Sequence, residues 1–280
     1  MSFPILASYL VSGQAHVLLA SERSERWASL RRSYDSLRAE IDALKPDLLV
    51  YWSTQWLSCL GYTVQADANP RGLHVDHNWH EFGTMSYSLN VDQGFAEICQ
   101  QQIAKQGHCS KAIAYDGFPI DTGTIVANSL LNPRGHFPTA MVSHNFYAGK
   151  EETIGIGQAI RETLERTKKR AVLVLVSSLS NRYFTHEIDP REDEISSASD
   201  HEWNQRVLAG FESGSMSSLT ELVPDFAKNG NADMGFKAAY CLAGALGENS
   251  RFQSKVFDYQ PVWGTGNALI GIYPEKGERS

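Results

Sequence analysis

The stretch Ala171–Asn181, AVLVLVSSLSN, decides the fold. Six apolar residues, Ala171 to Val176, run without a polar face between the charged segment RETLERTKKR and a pair of serines. A half-exposed strand would alternate apolar with polar residues. A short continuous run instead fits a strand buried on both faces of a mostly parallel sheet. In open α/β sheets, ligands bind just past the carboxyl ends of such strands. Ser177-Ser178-Leu179-Ser180-Asn181 therefore marks the edge where chemistry is expected, and the residue standing there is an amide rather than an acid, a base or a thiol.

The flanking segments support that reading. Residues 149–169 form a helical pattern with Ile154, Gly157, Ile160 and Leu164 on one face, and the small Gly157 is expected to pack close to the sheet. Residues 4–11 (PILASYLV) read as a strand ending at Ser12-Gly13-Gln14, with His16 just beyond. Trp27, Leu30, Tyr34, Leu37, Ile41 and Leu44 then recur at helical spacing within 22–44, and Pro46 stops that helix. Residues 47–52 (DLLVYW) form the next strand, running into Ser53-Thr54-Gln55-Trp56. Strand, long helix, parallel strand is a right-handed βαβ unit.

Further along, a helix is expected at 91–107, with Asp92 near its start and Gly107 closing it. A strand at 111–115, a loop holding Asp121-Thr122-Gly123, a helix at 124–131 and a strand at 139–142 ending at Ser143-His144-Asn145 follow. Residues 181–200 are acidic and aperiodic and read as a surface loop. Helices at 201–213, 217–228 and 232–246 precede two short strands around a turn within 257–273. No repeat or linker divides the chain. The expectation is one α/β domain over 1–280, with a central mostly parallel or mixed sheet flanked by helices.

With 280 residues, the chain is long enough to bury a sizeable core. A net charge of −7 argues against a nucleic-acid backbone or an anionic membrane surface as partner. No apolar run approaches the ~20 residues that span a bilayer. The opening MSFPILASYLVSG lacks a basic segment and reads as a first strand rather than a signal peptide. Cys59, Cys99, Cys109 and Cys241 form no CxxC pair and read as reduced, mostly buried thiols of a cytoplasmic protein.

Gly13, Gln55, Asn145 and Asn181 are expected to converge at the carboxyl edge of the sheet, with Thr122 from a nearby loop. Asp233 is the one obvious carboxylate that joins them, although an Asp at a helix start is more simply a cap. His74, His77 and His80 in HVDHNWH have the composition of a metal cluster. Without a nearby Cys or a HExxH helix, a polar excursion is the simpler reading. VWGTGNA does not follow a strand and open a helix as a dinucleotide loop must. Neutral amides orient a substrate but do not shuttle protons near neutral pH. The residues alone describe a soluble α/β protein with a polar, catalytically bare cleft.

The order of elements and the words at these strand ends resemble the class III extradiol ring-cleavage dioxygenases, the superfamily of protocatechuate 4,5-dioxygenase, over roughly residues 4 to 270. The resemblance implies an Fe(II) site of two histidines and a carboxylate in active members. Here the first ligand position falls at Gly13 or Gln14, with His16 two or three residues too late. The second falls at Gln55 and the third at Asp233 in GNADMGF. The family's DHG word stands as Asp121-Thr122-Gly123, and its SLSH word as Ser178-Leu179-Ser180-Asn181, with Asn181 for the acid–base histidine.

Substitution at five positions implies a retained fold with a degenerate site: no catalytic residue, and no metal or cofactor held by this chain. Within the family the chain is similar to the non-catalytic alpha subunits of aminophenol-cleaving enzymes. Its implied partner is an iron-bearing beta subunit, in an α2β2 assembly, and the 74–87 excursion is the expected part of that interface. Two other readings stand beside it. One is an active Fe(II) enzyme with a rearranged ligand set drawn from His16, one of His74, His77 and His80, and Asp233. The other is a binding protein for small aromatic ligands. A hydrolase is disfavoured, because no GxSxG elbow occurs and nothing places Ser178 near His186.

Overall fold

The computed structural model describes residues 3–275, so the two ends of the expected 1–280 domain lie outside the described residues. Strand β8 (Ala171–Val176) pairs in parallel with both β1 (Ile5–Val11) and β2 (Leu48–Ser58). β2 continues in parallel to β7 (Thr139–Asn145). Beyond β7 lie β3 (Tyr62–Gln65), antiparallel to it, and then β6 (Ser110–Ile113). On the other side, β10 (Thr265–Pro274) adds antiparallel to β1, and β9 (Phe252–Val262) adds antiparallel to β10. The eight-stranded mixed sheet thus runs β6-β3-β7-β2-β8-β1-β10-β9.

Helices cover both faces, which is why β8 carries no polar side. Tyr9, Tyr51, Val172 and Val174 pack under α2 (Glu25–Leu44) and α4 (Thr122–Leu131). Leu10, Val50, Leu173 and Leu175 point the opposite way, toward α3 (Gln93–Lys105), α5 (Lys150–Thr167) and α8 (Lys237–Leu246). α6 (Ala198–Glu212) and α7 (Met216–Asn229) pack with the second group through Val207, Phe211, Leu219 and Phe226. The expected single α/β domain is the one observed.

Several expectations are corrected. Gly157 packs close against α8 rather than the sheet: a Cβ there would lie 2.0 Å from Cys241 O and 2.6 Å from Ala245 N. Segment 61–89, to which the sequence reading assigns no strand or helix, is structured. It contributes β3 and a two-stranded sheet of β4 (Arg71–His74) and β5 (Met85–Ser88). α2 begins at Glu25, after a short α1 (Ala15–Leu19). Asp121-Thr122-Gly123 is not a loop: Asp121 accepts from Thr124 N as the N-cap of α4, and Thr122 opens the helix. Ser143, His144 and Asn145 lie within β7 rather than past its end.

The 181–200 loop carries a fully buried carboxylate, Asp193, which accepts from Trp27 Nε1 and from the backbone N–H groups of Trp263 and Gly264. Two of the four cysteines, Cys59 and Cys109, are exposed. Among the described residues no helix is long and apolar enough to cross a membrane.

Candidate functional site

A cavity of about 500 Å³ opens at the carboxyl edge of the sheet. Gly13, Gln55, Thr122, Asn181 and Asp233, distant in sequence, all line it. Asn145 does not. Its side chain instead accepts from Tyr147 N in the turn after β7.

The backbone delivers these groups through two irregularities. The β2–β7 register jumps from Ser53↔Ser143 to Leu57↔His144, leaving Thr54, Gln55 and Trp56 as a bulge. A bulge re-aims side chains that a regular strand would send to alternate faces. Here Thr54 reaches Asp233, and Gln55 Nε2 donates to Gly13 O at 3.2 Å. The second irregularity precedes α8. The expected helix over 232–246 is broken, because Met234, Gly235 and Phe236 all have positive φ. Asp233 is consequently no helix cap. Its N–H donates to Leu179 O, and Ala232 bridges Ser180, which turns the Asp233 side chain back toward the end of β8.

The Asp233 carboxylate meets four donors of the chain itself. Oδ2 accepts from Thr54 Oγ1 at 2.7 Å, Ser177 Oγ at 2.9 Å and Ser178 N at 3.1 Å, and Oδ1 accepts from Asn181 Nδ2 at 3.1 Å. Burial pushes this carboxyl above the usual carboxylate range, and the four donors offset only part of that.

Thr122 sits between two residues of the 74–87 excursion. Its hydroxyl donates to Asp76 Oδ2 at 2.6 Å, and His74 Nε2 lies 2.8 Å from Thr122 Oγ1. The single hydroxyl proton is committed to Asp76, so His74 Nε2 must carry the proton it shares with Thr122. Burial works to raise the Asp76 carboxyl. Hydrogen bonds from Thr122 and from the backbone N–H groups of Asn78 and Trp79 outweigh it, so the group sits below its ordinary range.

His16 is fully buried and does not line the cavity. Trp27, Trp79 and Phe82 surround its ring, with centroids at 4.7, 4.3 and 5.0 Å, and neither ring nitrogen has a hydrogen-bond partner. Desolvation pushes it down to about 3, so it is a neutral packing group. His74 and His77 line the cavity, whereas His80 is exposed outside it. Among the described residues, no three His, Cys, Asp or Glu side chains come together as a metal-binding group. Ser178 Oγ donates to Asn267 Oδ1, and His186 rests against Phe184, so no nucleophile–base pair forms between them.

Sequence reasoning missed Thr54 and Asp76 as members of this site; it marked Ser177 only as part of the strand edge and His74 only as a candidate metal ligand, whereas here they hold Asp233 and Thr122. Asp76 alone carried a local signal: an Asp two residues before Asn78, with the side chain accepting from the backbone ahead of it, is a turn former.

The chain belongs to the family described as the catalytic LigB subunit of aromatic ring-opening dioxygenase, whose model matches residues 12–270. It is 31% identical over 268 residues to the 2-aminophenol 1,6-dioxygenase alpha subunit of a Pseudomonas species, covering 95% of this chain and 98% of that one. It is 29% identical over 255 residues to the 2-aminophenol 1,6-dioxygenase beta subunit of a Pseudomonas species, covering 87% and 83%. Among solved structures, an uncharacterized protein from Escherichia coli K12 superposes with a TM-score of 0.65 at 11% identity, covering 95% of this chain and 99% of that one, a likeness of fold.

Proposed function

We propose that this chain is the non-catalytic, alpha-type subunit of an extradiol ring-cleaving dioxygenase acting on 2-aminophenol or a close analogue. It supports a homologous beta-type subunit that holds the Fe(II), in an α2β2 assembly in the cytoplasm. Similarity to both an alpha and a beta subunit of one enzyme supports a partner of the same fold.

The observation that carries the reading is the environment of Asp233. Thr54, Ser177 and Ser178 donate to Oδ2 and Asn181 to Oδ1, so four donors of the chain itself already hold the carboxylate. An Fe(II) centre of two imidazoles and a carboxylate does not fit these residues. Gly13 offers no donor side chain and Gln55 a neutral amide in contact with Gly13 O, while His16 is caged by aromatic rings away from the cavity. Gly13, Gln55, Thr122, Asn181 and Asp233 are on this reading remnants, with no catalytic role and no bound metal.

Co-expression with a beta-type subunit tests the proposal. A stable complex that opens the aminophenol ring, with neither chain active alone, is the expected result. Turnover by this chain alone would refute it.

A second reading, a binding site for small aromatic molecules, draws on the open cavity and its Trp56, Trp79, Phe118 and Tyr183 walls. Saturable quenching of tryptophan fluorescence by 2-aminophenol in the isolated chain would favour it.

A further inference from the structure

Three amides on the cavity wall share one arrangement. Gln14, Gln55 and Asn181 each give an amide N–H to another group of the chain, and each leaves its carbonyl oxygen without a partner among the described residues. Gln55 Nε2 donates to Gly13 O at 3.2 Å, and Asn181 Nδ2 to Asp233 Oδ1 at 3.1 Å. A carbonyl and a carboxylate only accept, so these two partners fix which end of each amide faces them. Gln14, 5% exposed, donates to Tyr183 Oη at 3.4 Å. All three line the cavity, whose polar wall is therefore rich in open acceptors.

The charges of the lining run the same way. Asp76, Asp121 and Asp233 contribute carboxyls, His74 and His77 are the basic members, and no Lys or Arg joins them. Asp76 is 8% exposed, and although burial works to raise it, its hydrogen bonds keep it ionised. Two aromatic pairs complete the wall, Trp56 with Phe118 at 6.4 Å between ring centroids and Trp79 with Tyr183 at 6.1 Å. Aromatic faces attract cations, and about 500 Å³ accommodates a ligand of one ring.

We propose that the cavity binds a small aromatic amine as its ammonium ion, with the ring against the aromatic wall and the N–H groups on the open carbonyls, and rejects aromatic carboxylates. This deepens the reading of the cavity as a binding site for small aromatic molecules and rests on it. An ammonium brings three donors and a positive charge to a wall that offers acceptors and a carboxylate. A ligand carboxylate brings acceptors to acceptors, and no Lys or Arg replaces the water it gives up.

The test uses the purified full chain at neutral pH and three probes of similar shape, benzylamine, benzyl alcohol and benzoate, titrated by calorimetry. Benzylamine is expected to saturate a single site with a dissociation constant at least about tenfold below that of benzyl alcohol, and benzoate to show no saturable binding. Gln55→Lys, at an exposed position on the cavity wall, replaces an open acceptor with a cation. It should weaken benzylamine by about tenfold or more and let benzoate bind, a gain that an unfolded variant does not produce. Benzoate binding the native chain as tightly as benzylamine would overturn the proposal while leaving aromatic binding intact. Equal affinities for benzylamine and benzyl alcohol would do the same, as would an unchanged benzylamine affinity in Gln55→Lys. No saturable binding of any of the three would overturn the aromatic-binding reading itself, and the proposal with it.

Discussion

Thr54 Oγ1 stands 2.7 Å from Asp233 Oδ2, joining the bulge of β2 to the segment before α8 across 179 residues of chain. It is the shortest of four hydrogen bonds to a buried carboxylate, so Asp233 acts as the knot of the cavity floor. Asp233→Asn turns one accepting oxygen into an NH2 that faces donors. It should cost about 1–3 kcal/mol at neutral pH, read from chemical denaturation.

Asp233 also sets a pH dependence. Its folded pKa is raised, so the folded state prefers the proton more than the unfolded chain does. Its contribution to stability therefore falls as pH rises from the ordinary carboxylate value, about 3.9, through the raised one, and is flat above that. The difference in stability between the native chain and the Asn variant should grow on acidification over that window. A difference that shrinks would contradict the direction of the shift.

His16 works in the opposite sense. Its folded pKa is pushed down to about 3, whereas an unfolded histidine titrates near 6.5. Between those values the unfolded chain binds the extra proton, so this group makes the fold lose stability as pH falls, by at most about 1.4 kcal/mol per unit. His16→Phe removes two unpartnered nitrogens from the aromatic cage. It should flatten that part of the acid-unfolding profile while leaving neutral-pH stability within about 1.5 kcal/mol of native.

Thr122 pins the β4–β5 excursion to α4 through His74 and Asp76. Thr122→Val keeps the shape and removes the hydroxyl, leaving Asp76 short of a donor. A loss of about 1–2 kcal/mol is expected, with faster amide exchange concentrated in residues 71–88. Uniform exchange across the chain would show that the hydroxyl does not hold the excursion.

Gly157 and Gly244 let α5 and α8 touch backbone to backbone, since a Cβ at Gly244 would lie 1.9 Å from Ile154 O. Gly157→Ala forces the helices apart and should cost about 3 kcal/mol, lowering the thermal midpoint without altering cavity binding.

Much of the fold was legible because burial wrote it in periodicity. β8 falls on the expected 171–176, and α2 buries Trp27, Leu30, Tyr34, Leu37 and Ile41 as the spacing required. What was illegible is irregular or short. β3 and β4 have four residues each, and three of the four in β4 are exposed, too few to show a period. The bulge at Thr54–Trp56 and the left-handed run at Met234–Phe236 depend on pairing and packing from distant segments, so no local signal announces them. The same limit applies to the site. Gly13, Gln55, Thr122, Asn181 and Asp233 do gather, as the strand ends implied. Of the donors that satisfy Asp233, Ser178 and Asn181 stood in the SLSN word, whereas Thr54 came from a bulge and Ser177 from the end of β8 with no motif of their own, and Asn145 was misplaced because β7 continues three residues further than its apolar run.

Iron stoichiometry is the measurement that bears most directly on the central claim. The purified chain would be loaded anaerobically with Fe(II), desalted, and assayed for metal and ring cleavage, alone and then with a beta-type subunit. The account predicts iron well below one equivalent and no turnover alone, with activity and one iron per beta subunit in the complex. One equivalent of iron in this chain with turnover by itself would contradict it.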